Sequence, residues 1–112
     1  MTLRLLRRWR KLVVINSVVA NEKPCEGVSV RWEGGQFVVI AAKRGLLACS
    51  AISKEVMEEF ELAVAIAKGT KDKPLITPED LLKANVVDAT SKAKELGVMV
   101  GEKGQEALKK LV

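Results

Sequence analysis

Cys49 is the residue in this sequence best suited by type to covalent chemistry. It closes the apolar run Leu46-Leu47-Ala48-Cys49. A cysteine acts as a nucleophile when a nearby cation, metal or helix N-terminus favours its thiolate. Lys43 and Arg44 stand at the far end of the same run, and a helix expected to begin at Ser53 starts just beyond it. The chain has no histidine, so the base that usually serves such a thiol is missing. A small buried core thiol is the simpler reading. A second group of residues suits binding rather than bond-making. The turn Lys43-Arg44-Gly45 and the glycines Gly101 and Gly104, which precede the last expected helix, are candidates for contact with a small anionic ligand. No histidine, cysteine and carboxylate cluster has metal-ligand spacing, and no cofactor fingerprint is present, so neither a metal nor a cofactor is expected.

Gly97, Gly101 and Gly104 follow the spacing G-x-x-x-G-x-x-G, which matches neither the dinucleotide fingerprint nor a phosphate-binding P-loop. Val100-Gly101-Glu102-Lys103-Gly104 also resembles the GxxG clamp of a KH domain, but that fold needs a strand after the helix, and one residue follows Leu111 here. Tight turns that demand glycine are the expected role. Basic charge is concentrated elsewhere. Arg4, Arg7, Arg8, Arg10 and Lys11 lie in the first eleven residues without an acid among them, and the other 101 residues carry 14 basic and 14 acidic side chains. The net charge of +5 therefore belongs to one end of the chain. Those five residues are candidates for a salt-sensitive nucleic-acid contact, with a solvated terminus as the plainer reading. Nucleic acid is the disfavoured partner.

The elements that must position these residues are read from periodicity. Val13–Ile15 is a β-branched run. Val28, Val30 and Trp32 alternate with Ser29, Arg31 and Glu33, as in a strand with one apolar face. Gly34-Gly35 is expected as the two-residue loop leading into Gln36–Ala42, whose Phe37-Val38-Val39-Ile40 suggests cover on both faces. Leu46–Cys49 continues the meander, and Cys25 beside Pro24 reads as a loop residue. Ser53 is an expected cap for a helix with Val56, Met57 and Phe60 inward. Leu62–Ala67 reads as a strand. Thr77-Pro78-Glu79-Asp80 places a hydroxyl, a proline and an acid where a helix start wants them. Asn85 is expected to cap the next helix, with Val86, Ala89, Ala93 and Leu96 on one face. Glu102–Leu111 is the last helix, with Ala107, Leu108 and Leu111 inward. The expectation is one α+β domain over residues 1–112, with a mainly antiparallel sheet from the N-terminal half and three to four helices, mostly C-terminal, packed on it. Residues 1–12 form a basic extension or first strand, and residues 70–76 a loop insertion.

Lys43-Arg44-Gly45-Leu46-Leu47-Ala48-Cys49 followed by a helix resembles the "KGxLxCG" stretch of the YunC-like family of small bacterial and archaeal proteins. The C-terminal half is similar to the family's pattern "DLL…A…V…T…A…G[IV]..G..G.EAL". Here it is carried by Asp80-Leu81-Leu82, Ala84, Val86, Thr90, Ala93, Gly97-Val98, Gly101, Gly104 and Glu106-Ala107-Leu108. With Ile15-Asn16, the resemblance spans roughly residues 13 to 111. It implies a small α+β domain and assigns no activity. Ser50 stands where the family pattern has glycine, so a role requiring bare backbone there is not carried over. The segment 70–76 is longer than the family's connection, and the basic stretch before Val13 lies outside the shared pattern.

No stretch is long and apolar enough for a membrane helix. The basic run before Leu12–Val19 imitates a signal peptide, but Asn16 and Ser17 break its apolar region. With two unpaired-looking cysteines, the expected location is the cytoplasm. The expected function is a non-enzymatic ligand-binding or accessory domain that takes a small anionic ligand or a partner protein. The alternatives are a thiol-dependent enzyme or redox protein using Cys49, and nucleic-acid binding through the basic segment. A homodimer is expected, because the strands are more apolar than a one-sided sheet requires. If the terminus is extended, Leu3, Leu5, Trp9 and Val13 share a side and Trp9 would anchor the contact.

Overall fold

The computed structural model describes residues 12–112. Arg4, Arg7, Arg8, Trp9, Arg10 and Lys11 therefore lie outside the described residues. The sheet begins with two hairpins. β1 (Val13–Ala20), β2 (Lys23–Trp32) and β3 (Gly35–Ala41) pair antiparallel in sequence order. The first hairpin turns at Asn21-Glu22, both with positive φ (49° and 63°), as a two-residue primed turn demands. The second turns at Glu33-Gly34 rather than at the two glycines. Trp32 pairs directly with Gly35, and only Gly34 adopts the left-handed φ of 95°. The Trp32 ring lies over Gly35, filling the place a side chain would take.

β4 (Leu46–Cys49) pairs antiparallel with β3 and parallel with β5 (Val64–Lys68). A parallel pair requires a crossover, and residues 50–63 supply it, carrying α1 (Lys54–Glu59). β6 (Asn85–Ala89) completes a six-stranded sheet in the order β1-β2-β3-β4-β5-β6, antiparallel to β5. The remaining helices are α2 (Pro78–Lys83), α3 (Ser91–Glu95) and α4 (Gly104–Leu111). This is the expected α+β architecture, a mostly antiparallel sheet with four helices, three of them in the C-terminal third.

Alternation along the strands divides the core. On one face Val38, Ile40, Leu47, Cys49, Ala65 and Ala67 pack beneath Leu81 of α2, Ala93 of α3 and Ala107, Leu108 and Leu111 of α4. On the other, Ala48, Val64 and Ile66 pack with Val39, Leu46, Ile52 and Met57, the last from α1. Close approach is built into the first face. A Cβ on Gly27 would meet Pro78 at 2.5 Å, and one on Gly104 would meet the carbonyl oxygen of Leu81. Ser53 and Thr77 cap α1 and α2 as expected. The Thr77 cap is a full capping box, in which its hydroxyl accepts from the Asp80 amide and the Asp80 carboxylate accepts from the Thr77 amide.

Several local expectations are corrected. Residues 85–89 are a strand, and Asn85 is not a helix cap. Val86 and Val87 suit extended backbone, and pairing with β5 holds them there. Thr90 caps the short helix that follows. The sheet is therefore not complete before residue 68. Cys25 is a buried strand residue, and β1 runs on to Ala20. On β2 the covered residues are Cys25, Gly27 and Ser29, so Val28, Val30 and Trp32 face outward. On α1 only Met57 reaches the core, and Val56 and Phe60 are exposed.

Candidate functional site

The Lys43-Arg44-Gly45 turn joins β3 to β4 and is taken up by the chain's own end. The Arg44 guanidinium donates to a main-chain oxygen of Val112 (2.9 Å) and to the Lys110 carbonyl (3.0 Å), and its backbone amide donates to the Leu111 carbonyl (2.8 Å). These are the carbonyls that the last turn of α4 leaves without intrahelical partners, and a cation is favoured at that end of the dipole. Gly45 sits against the Ala63 carbonyl, where a Cβ would lie 2.6 Å from the oxygen. Gly101 and Gly104 are at the other end of α4. Gly101 takes a φ of 100° and donates to the Val86 carbonyl (2.7 Å), while Gly104 packs against α2. An eight-residue helix is about 12 Å long, so these glycines and Arg44 do not meet on one pocket. Their geometry joins α4 to the sheet and to α2.

Cys49 lies at the opposite end of β4 from Gly45. Its Sγ accepts from the Val38 amide at 3.4 Å, just past the point where the β3–β4 ladder ends at Val39 and Ala48. The thiol thus replaces a missing strand partner for that amide. Cys49 also lines a depression of about 580 Å³ beyond the carboxyl ends of β4 and β5. Gln36, Ser50 and Ala51 line it from the sheet side, and Lys68, Gly69, Thr70, Lys71, Pro74 and Leu75 from the loop that follows β5. That loop folds back on itself. Thr70 and Lys73 exchange backbone and hydroxyl hydrogen bonds (3.1 and 3.0 Å), and a Cβ on Gly69 would strike the Lys73 carbonyl at 2.5 Å. The buried Nε of Arg31, the strand partner of Gln36, has no hydrogen-bond partner among the described residues. The lining contains two lysines and no carboxylate. Charge complementarity there favours an anion.

Sequence reasoning named Cys49 but missed Lys68, Lys71 and Gln36. Only the parallel pairing of β4 and β5 brings the two strand ends together, and no local spacing announces it. Cys25 is 3% exposed on β2, and burial pushes its thiol pKa up, which disfavours the reactive thiolate there. Among the described residues no three histidine, cysteine or acidic side chains come together to hold a metal. None of the described helices is long and apolar enough to cross a membrane.

Residues 48–111 match the family model described as "Domain of unknown function (DUF1805)". The chain belongs to this family. The DUF1805 chain is also 27% identical over 105 residues to the uncharacterized protein YunC of Bacillus subtilis, covering 90% of this chain and 99% of that one. Its fold is shared with the crystal structure of a protein of unknown function from Thermoplasma acidophilum. The TM-score is 0.78 at 21% identity, over 89% of this chain and 93% of the other. The matched segment 48–111 takes in Cys49, the loop carrying Lys68 and Lys71, and the glycines before α4. Of the residues lining the depression, only Gln36 lies outside it.

Proposed function

We propose that this DUF1805 chain is a non-enzymatic, cytoplasmic ligand-binding domain whose ligand is a small anion seated beyond the carboxyl ends of β4 and β5. The observation that carries this reading is the lining of that depression, with Lys68 and Lys71 on the loop side and no acid facing them. A hydroxyl from Ser50 or Thr70 and the amide of Gln36 supply neutral polar contacts. Nothing here requires bond-making. Calorimetric titration with inorganic phosphate and with citrate tests the reading. Saturable binding of either anion, weakened at least tenfold by Lys68→Ala or Lys71→Ala, is the expected result. No heat at millimolar anion would overturn it.

A second reading rests on the Val38 amide that points at the Cys49 sulfur. A sulfur that accepts a main-chain hydrogen bond and borders the depression stands where a reacting thiol would meet a ligand. A thiol-dependent enzyme or redox protein would use Cys49 in the same depression. Rapid alkylation of Cys49 by iodoacetamide in the native protein supports this second reading, and inertness until denaturation removes it.

A further inference from the structure

The second sheet face is only half covered. α1 sits over β4 and β5, while the β1–β3 part of that face has no element over it among the described residues. Its floor is nearly free of charge. Val13, Ile15 and Val19 of β1, Val28, Val30 and Trp32 of β2, and Val39 of β3 point the same way by register, with Glu26 the one charged residue in the three strands' outward set. Ile15 is 63% exposed, Trp32 54% and Val13 52%. α1 forms a wall along this floor. Lys54 reaches Asp88 at 4.0 Å and Glu58 accepts from Ser91, so that flank of α1 faces β6. At 100° per residue, Val56 and Phe60 occupy the opposite flank, toward β3. They are 44% and 68% exposed.

We infer that this shelf is the interface of a two-fold homodimer, in which the β1–β3 faces of two copies stack between their α1 walls. Three features fit a second copy. The floor is self-complementary, being apolar against apolar, which is what an isologous contact between identical surfaces needs. The floor carries no lysine or arginine, so two copies stacked on it set no cations against one another. The exposed parts of Val13, Ile15, Trp32, Val56 and Phe60 provide roughly 500 Å² of apolar surface, and the half-buried Val28, Val30 and Val39 bring the patch toward the ~800 Å² per partner of a standard interface. Sheets stack face to face about 10 Å apart, a spacing that Trp32 and Phe60 can fill. The Leu12 carbonyl accepts from the Arg31 amide (2.7 Å), so the chain enters β1 near Trp32. Residues 1–11 are thus the competing cover, and the experiment separates the two.

Sedimentation equilibrium of the full chain over 1–100 µM decides the question. A mass twice the 12.2 kDa of one chain is expected. Ile15→Lys and Phe60→Lys should each raise the dissociation constant at least 100-fold while circular dichroism stays unchanged. Met99→Lys, at an exposed apolar residue outside the shelf, should leave the dimer intact, as should removal of residues 1–11. A monomer at 100 µM overturns the inference. So does a dimer that survives both shelf substitutions, or one that is lost with residues 1–11.

Discussion

Thr90→Val tests the strand-to-helix junction that joins β5, β6 and α3. The substitution keeps the side chain's shape and removes a hydroxyl that is fully buried. That oxygen accepts from the amides of Val64 (3.0 Å) and Ala93 (3.4 Å) and donates to the Leu62 carbonyl (2.6 Å). Valine leaves two buried amides and one part-buried carbonyl without this partner. An unsatisfied buried group costs about 1–3 kcal/mol and loss of a threonine cap about 1 kcal/mol. The longer bond to Ala93 is the weaker of the three, so about 3 kcal/mol is the expected total. With a urea slope of about 1.5 kcal/mol per M, the unfolding midpoint falls by about 2 M. Thr90→Ser retains the hydroxyl and loses one methyl, for about 1 kcal/mol. Asn85→Ala, at an exposed position that caps nothing, changes stability by less than about 0.5 kcal/mol. A Thr90→Val loss below about 1 kcal/mol, or an Asn85→Ala loss as large, would refute the placement of this hydroxyl at the centre of the junction.

Other expectations follow from contacts of the same kind. Burial works to raise the Asp80 pKa, but hydrogen bonds from the Thr77 and Ile76 amides outweigh it and hold the carboxyl below its ordinary 3.8. A lowered folded pKa stabilises above the unfolded value and is lost as pH falls through the folded one. Urea midpoints should thus decline below pH 3.8 more steeply in the native protein than in Asp80→Asn. Arg44→Met keeps the stem but frees the main-chain oxygens of Lys110 and Val112, and the melting temperature should fall by about 5–10 °C, for about 1–2 kcal/mol; an unchanged melt would show that the clamp is idle. Gly104→Ala forces α2 and α4 apart at the Leu81 carbonyl and should cost about 3 kcal/mol. Gly101→Ala meets open space and should cost only the strain of its positive φ, about 1–2 kcal/mol, so equal losses would contradict this contrast.

What was legible in the sequence was what neighbouring residues decide among themselves. Thr77-Pro78-Glu79-Asp80 signals a helix start because every partner in its capping box lies within four residues. Val86, Ala89, Ala93 and Leu96 fall at helical spacing only because a strand and a short helix happen to meet at Thr90. Pairing with β5, some twenty residues away, makes the first part a strand. Alternation at Val28, Val30 and Trp32 shows that one face is apolar but not which face the helices cover. The small set Cys25, Gly27 and Ser29 admits Pro78, and this decides it. At the site the same limit applies. Arg44 has the composition of an anion-binding turn, yet its partners lie 66 and 68 residues downstream. Lys68 and Lys71 have no local signature at all. They line one depression with Cys49 because β5 runs parallel to β4.

The central claim is that an anion occupies the depression beyond β4 and β5. Two-dimensional ¹H–¹⁵N spectra of the full chain, titrated with inorganic phosphate at constant ionic strength, test it most directly. The account predicts saturable shifts confined to the amides of Gln36, Ser50, Ala51, Gly69, Thr70 and Lys71, with little change at Lys43, Arg44, Gly101 and Gly104, and a loss of the effect in Lys68→Ala/Lys71→Ala. Shifts that instead centre on the Lys43–Gly45 turn or the glycines before α4, or that never saturate, would contradict it.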